Sequence, residues 1–155
     1  MKRISPQSTR THFRGGFTLI EILIVIAIIL VIASLAVPKL FERQEGAMIN
    51  ASKAKVLNAQ KSCDFYAADH DGSFPEGGVE VWDTLLQESE YRGRTFQPYI
   101  DEIPTDAWGE VLNYKFRPER NTGSKPDIWS NGPNRGDDGG GEDTDDIGNW
   151  PMKSK

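Results

Sequence analysis

Residues able to do chemistry are few in this 155-residue chain, and they fall in three places. The first is Glu21, the one charge in an apolar run from Phe17 to Val37, where only Thr18 and Ser34 are also polar. A carboxylate in hydrocarbon costs about 3 kcal/mol or more unless it is paired, neutralised or held at the interface. Cleavage of the chain after Gly16 would create an α-amino group on Phe17, four residues upstream, a cation suited to Glu21 of a neighbouring helix. The second place is a glycine-rich stretch, 131–149, with six acids against the single Arg135. Such a stretch repels itself and stays disordered unless a cation gathers its oxygens. The third, Asp69-His70-Asp71, has metal-binding residue types, but three consecutive side chains converge on one point only in a special turn, so it reads as a solvated turn. Cys63, the single cysteine, excludes an intrachain disulfide; with no basic pair to activate it, it reads as a small packing residue. His12 and His70 are the only histidines, and no acid/base pair or nucleophile arrangement falls together, so the chain does not read as an enzyme.

The elements that must position these groups begin with residues 1–16, a basic leader carrying Lys2, Arg3, Arg10 and Arg14 and no acid. Setting those four aside leaves 14 of the 18 basic residues against 23 acids, a charge of −9 and no basic stripe, which argues against a nucleic-acid partner. Residues 17–38 follow as an apolar helix. At about 1.5 Å per residue, about 20 apolar residues cross a hydrocarbon core of about 30 Å, and the charge asymmetry keeps the leader cytoplasmic. A secretory signal is a poor alternative, because Val37-Pro38-Lys39 lacks the small residues of its cleavage site; an ordinary signal anchor fits the hydropathy equally well. Past Pro38, which is expected to bend or open the helix, residues 39–69 become amphipathic. Leu40, Phe41, Ala47, Met48, Ala51, Ala54, Leu57, Phe65 and Ala68 form the expected buried stripe. A short helix is expected over 81–88 with Trp82, Leu85 and Leu86 inward, then an alternating strand over 111–116 and an antiparallel partner over 127–130.

Gly16-Phe17-Thr18-Leu19-Ile20-Glu21 followed by the long apolar helix resembles the signature of the type IV pilin and type II secretion pseudopilin superfamily. The resemblance implies that a prepilin peptidase cleaves after Gly16, that Phe17 becomes the methylated N-terminus, and that Glu21 helps subunits pack into a filament. Tyr99-Ile100, Pro104-Thr105-Asp106-Ala107-Trp108-Gly109 and Tyr114 resemble the core of the major, G-type pseudopilins, with Ala107 where that family usually has proline. The implied fold is α+β and pilin-like: a long N-terminal helix, half in the membrane and half amphipathic, packed on a small antiparallel sheet within a periplasmic domain, 39–155, that ends in a metal-binding loop.

That loop, 131–150, is no EF-hand, because counting from Asp143 puts Ile147 and Ser154 where oxygens are needed. Its oxygen-rich composition suits Ca2+, which takes about 6 to 8 oxygen ligands. Ser130-Asn131-Gly132-Pro133-Asn134 and Asp143-Thr144-Asp145-Asp146-Ile147-Gly148-Asn149-Trp150 resemble the calcium loop of the G-type subunits. The resemblance implies the backbone carbonyl of Asn131 and the side chains of Asn134, Asp143 and Asp145 as ligands. Asn134 stands where the family usually has aspartate, and Asp137 or Asp138 in the longer loop could replace the missing charge. The implied function is a structural subunit of a periplasmic pseudopilus, anchored once in the bacterial inner membrane. Its implied partners are copies of itself, other pseudopilins, the peptidase and the inner-membrane secretion platform. A type IV pilin or minor pilin for adhesion or DNA uptake, often closed by a disulfide this chain cannot form, and a membrane-tethered binding domain are the alternatives.

Overall fold

A computed structural model describes residues 16–121, 123–139 and 144–151. The basic leader up to Gly15 and Asp143 lie outside the described residues. One helix, α1 (Leu19–Asp69), runs 51 residues without a break in its assignment at Pro38. It is long and apolar enough to cross a membrane. The chain divides into two compact units between Leu40 and Phe41. In the first unit the apolar side chains are largely exposed, as for Ile20 at 61% and Leu35 at 72%, which is the surface expected of a segment whose solvent is lipid or other helices.

In the second unit α1 buries Ser52, Val56, Ala59, Cys63 and Ala67, spaced four, three, four and four residues apart. This seam differs from the expected stripe, since Leu40, Phe41, Leu57 and Phe65 are exposed, and so are Ala47, Ala51, Ala54 and Ala68. Small residues let the rest of the domain approach α1 closely, and the bulk of the core comes from the other side. Helix α2 (Val81–Leu85) contributes Trp82 and Leu85, and Leu112, Tyr114 and Ile128 complete the cluster. The Trp82 indole donates to the Leu112 carbonyl at 2.7 Å, and the Tyr114 hydroxyl donates to the Pro75 carbonyl at 2.6 Å. Both aromatic residues thereby bring a satisfied polar tip into an apolar interior.

Two antiparallel sheets complete the described elements. Strands β1 (Ser89–Tyr91) and β2 (Arg94–Phe96) form a hairpin absent from the sequence expectations. Its two turn residues, Arg92 and Gly93, have φ of 50° and 75°, the left-handed pair a two-residue hairpin needs. Strand β3 (Asn113–Lys115) pairs with β4 (Asp127–Ser130), and β4 with β5 (Ile147–Gly148). β3 is shorter than the expected 111–116: Val111 makes only an isolated bridge to Thr105. β4 is buried along its whole length, which places its ends, and the loops they carry, on a rigid base.

Candidate functional site

At the start of α1, Phe17 is 80% exposed and precedes the helix. Thr18 caps it: the Glu21 backbone N–H donates to Thr18 Oγ1 at 3.3 Å and to the Thr18 carbonyl at 3.2 Å. Thr18-x-x-Glu21 has the spacing of a capping box, a signal legible in the sequence itself. Glu21 therefore has a local function as well, since a carboxylate in the first turn meets the positive end of the helix dipole.

The opposite end of the chain is built from β4 outward. Asp106 is 2% exposed and its carboxylate accepts from the backbone N–H groups of Trp108 and Glu110, both at 2.9 Å, and from the Ser130 hydroxyl at 2.6 Å. Ser130 Oγ in turn accepts from Gly132 N–H at 3.1 Å. The turn around Trp108 and Gly109 and the first residues of the acidic loop are thus tied to one carboxylate. Gly132 must be glycine, because its φ is 68° and a Cβ there would run into the backbone of Asp145. Across this close approach Asn134 meets Asp145: its backbone N–H donates to Oδ2 at 3.0 Å and its amide Nδ2 to Oδ1 at 2.8 Å. The same Nδ2 donates to Asp138 Oδ2 at 2.6 Å. The Asn131 side chain is held elsewhere, accepting from Asn113 Nδ2 at 2.6 Å. Asn134, Asp138 and Asp145 are therefore brought together; Asp137 is not among their partners and faces Arg120, with Oδ1 3.7 Å from Nη2. Among the described residues no group of three or more His, Cys, Asp or Glu is arranged to hold a metal ion.

Three features of this end had no role assigned from sequence. Asp127, 1% exposed, accepts from the backbone N–H groups of Glu119, Arg120 and Asn121 at 2.7, 2.9 and 2.8 Å and so shapes the loop between β3 and β4. Asn149 accepts from Ile128 N–H at 3.0 Å and from Asn121 Nδ2 at 2.7 Å, closing the end of the acidic loop onto that neighbour. The Arg120 guanidinium lies 4.9 Å from the centre of the Trp129 ring and 4.7 Å from that of Trp150, within cation–π range of both. Trp150 and Ile147 pack on the domain, both buried. Gly148 leaves the room: a Cβ there would overlap the Trp150 ring.

Among the described residues, the remaining titratable groups are engaged in packing and hydrogen bonds. Asp69-His70-Asp71 is a turn, but His70 is buried rather than solvated. Its ring stacks on Tyr66 at 3.8 Å, lies near Tyr91 and Phe96, and contacts the Tyr66 carbonyl through Nδ1 at 2.8 Å. The two acids instead accept from tyrosine hydroxyls, Asp71 from Tyr91 at 2.7 Å and Asp69 from Tyr99 at 3.1 Å. Burial, with a smaller contribution from Asp64, pushes the Cys63 thiol up to about 12, which leaves it protonated and unreactive near neutrality. Burial also raises Tyr114.

A long N-terminal helix with an exposed apolar first half, continuing into a small α+β unit with antiparallel sheets, defines a pilin-like subunit. Comparison with known proteins narrows the class. Residues 39–150 match the family model described as type II secretion system (T2SS), protein G, and residues 12–37 match the prokaryotic N-terminal methylation motif. The chain is similar to the type II secretion system core protein G of Pectobacterium carotovorum, 35% identical over 90% of this chain and 86% of that one. It is also similar to those of Klebsiella pneumoniae, 34% identical over 90% and 96%, and of Escherichia coli, 31% identical over 94% and 97%. The chain belongs to the type II secretion system protein G family.

Proposed function

We propose that this protein is the major structural subunit of a type II secretion pseudopilus. It is cleaved after Gly16, methylated on Phe17, held in the inner membrane by the first half of α1, and polymerised with its second unit in the periplasm. The observation that carries this reading is the pairing, in one chain, of the protein G match over 39–150 with the methylation motif over 12–37. Its work is mechanical: subunits exchange lipid for neighbouring helices along the exposed apolar surface of α1, and Glu21 meets the new amine of a neighbour's Phe17. Mass spectrometry of the protein from its native membrane is expected to find methylated Phe17 as the first residue. A strain lacking the gene is expected to lose secretion and regain it with the intact gene. An N-terminus at Met1, or undiminished secretion in the deletion strain, would contradict the reading.

Within the same proposal the acidic loop holds Ca2+. The donor chemistry fits: Asn134, Asp138 and Asp145 offer only hard oxygens apart from one amide nitrogen, and that nitrogen sits as a positive-ended donor between two carboxylates. The Gly132 approach to Asp145 supplies the close backbone spacing such a loop needs. Asp145, Asn134 and the Asn131 carbonyl, with Asp143, are the proposed ligands, and the cation would supply charge neutralisation and order. Without a disulfide, that is a substantial staple: binding only the folded state adds about 2.7 kcal/mol when calcium is about 100-fold above Kd. Removing calcium with a chelator is expected to lower the melting temperature of the detergent-solubilised full chain, and an unchanged melt would refute the calcium staple.

A further inference from the structure

The two adjacent acids of the loop, Asp137 and Asp138, face different partners. Asp138 Oδ2 accepts from Asn134 Nδ2 at 2.6 Å, the same nitrogen that donates to Asp145 Oδ1. Asp137 Oδ1 faces the Arg120 guanidinium at 3.7 Å and accepts from Gly139 N–H at 3.0 Å. Arg120 is the reason for the division. Its side chain is only 20% exposed, it is flanked by the faces of Trp129 and Trp150, and Nη1 is buried with no hydrogen-bond partner among the described residues. Indole faces attract a cation but accept no strong hydrogen bond from it, so a half-enclosed guanidinium keeps a strong demand for a carboxylate. Among the described residues Asp137 is the acid recorded in an ion pair with it. Moving Asp137 to a cation site would strip Arg120 of that counter-ion, whereas Asp138 can serve the site without such a loss.

We propose that Arg120 sorts the pair: Asp137 is the counter-ion that fastens the loop to the Arg120, Trp129 and Trp150 stack, and Asp138 supplies the calcium-site charge that Asn134 lacks. Arg120 is a positioning residue in this scheme, acting through Asp137. The inference rests on the calcium reading proposed above, and it explains how a chain with asparagine at position 134 keeps a charge-sufficient site. A carboxylate that serves the cation raises affinity through ligand charge count; a carboxylate that serves the guanidinium contributes to the stability of the loop whether or not metal is present.

The experiment titrates calcium chloride into chelator-stripped full-length protein in detergent micelles by isothermal titration calorimetry, and records the melting temperature of the metal-free protein. Asp137→Asn is expected to bind within about threefold of the unsubstituted chain, and Asp138→Asn about tenfold or more weaker. The metal-free melts should show the reverse order, lowered by Asp137→Asn and not by Asp138→Asn. Asp138→Ala carries the same expectations as Asp138→Asn, and the metal-free melt shows whether each variant is folded. Equal or greater weakening by Asp137→Asn, or no weakening by either Asp138 variant, overturns the assignment while leaving the calcium reading intact. Absence of calcium binding by the unsubstituted chain overturns both.

Discussion

Asp106 joins two segments of this domain through one buried carboxylate. It converts a tight turn and the start of the acidic loop into one unit by accepting from two backbone N–H groups and the Ser130 hydroxyl. Asp106→Ala would leave the buried Ser130 hydroxyl and two half-buried N–H groups without their acceptor, at about 1 to 3 kcal/mol for the buried donor and less for the others, so an overall loss of about 2 to 4 kcal/mol is expected. Urea unfolding of the full chain in detergent, followed by Trp fluorescence, measures it; a loss below 1 kcal/mol would mean that water replaces these bonds. At this scale the sequence displayed the residue but not its task. The Pro-x-Asp-x-Trp-Gly pattern marked Asp106 as part of a motif, and its contacts to Trp108 and Glu110 stay within that turn, but the contact to Ser130 depends on tertiary placement. Thr18 is the opposite case, since its capping relation to Glu21 is written in local spacing. Arg120 had no local signal, because Trp129 and Trp150 reach it only after β4 and β5 have paired.

Helix α1 carries two apolar surfaces in its second half, and the hydrophobicity of the residues favoured the wrong one as the core. The inward seam of Ser52, Val56, Ala59, Cys63 and Ala67 is weakly apolar because close packing selects for small side chains. Leu57 and Phe65, the larger residues, are 52% and 66% exposed. Period and length were readable, so the helix and its end at the 69–71 turn were recovered; face assignment failed because bulk and burial are uncoupled here. The same uncoupling separates stability from assembly. Phe65→Ser is expected to change the stability of the subunit by no more than about 0.5 kcal/mol, as for an exposed site. Leu85→Ala, at a fully buried position, is expected to cost about 2 to 5 kcal/mol. If α1's outer face packs against neighbouring subunits in the proposed filament, Phe65→Ser will nonetheless reduce filament yield while its melt stays near that of the unsubstituted protein. A large fall in its melting temperature would place Phe65 in the core of the subunit instead.

At the scale of the whole molecule, the proposed function requires one carboxylate to be tolerated in the membrane and still to drive assembly. Glu21 at the third position of a Thr18-capped helix is partly compensated by the helix dipole, so the subunit can be stored in lipid at a reduced cost. A neighbour's Phe17 amine would offer a full opposite charge in a low-dielectric setting, a stronger partner than a partial dipole charge and one that exists only after cleavage. Glu21→Gln tests the charge itself, because glutamine keeps the hydrogen-bonding capacity of a capping-box residue while losing the charge. The variant is expected to insert, to be cleaved after Gly16, and to fractionate with the membrane like the unsubstituted protein, but to form few filaments. Thr18→Val should do the converse, weakening the helix start by about 1 kcal/mol while leaving the charge pair available. Counting filaments by electron microscopy, alongside membrane fractionation, distinguishes these outcomes. Normal filament numbers from Glu21→Gln would refute the pairing of the Glu21 charge with a neighbour's Phe17.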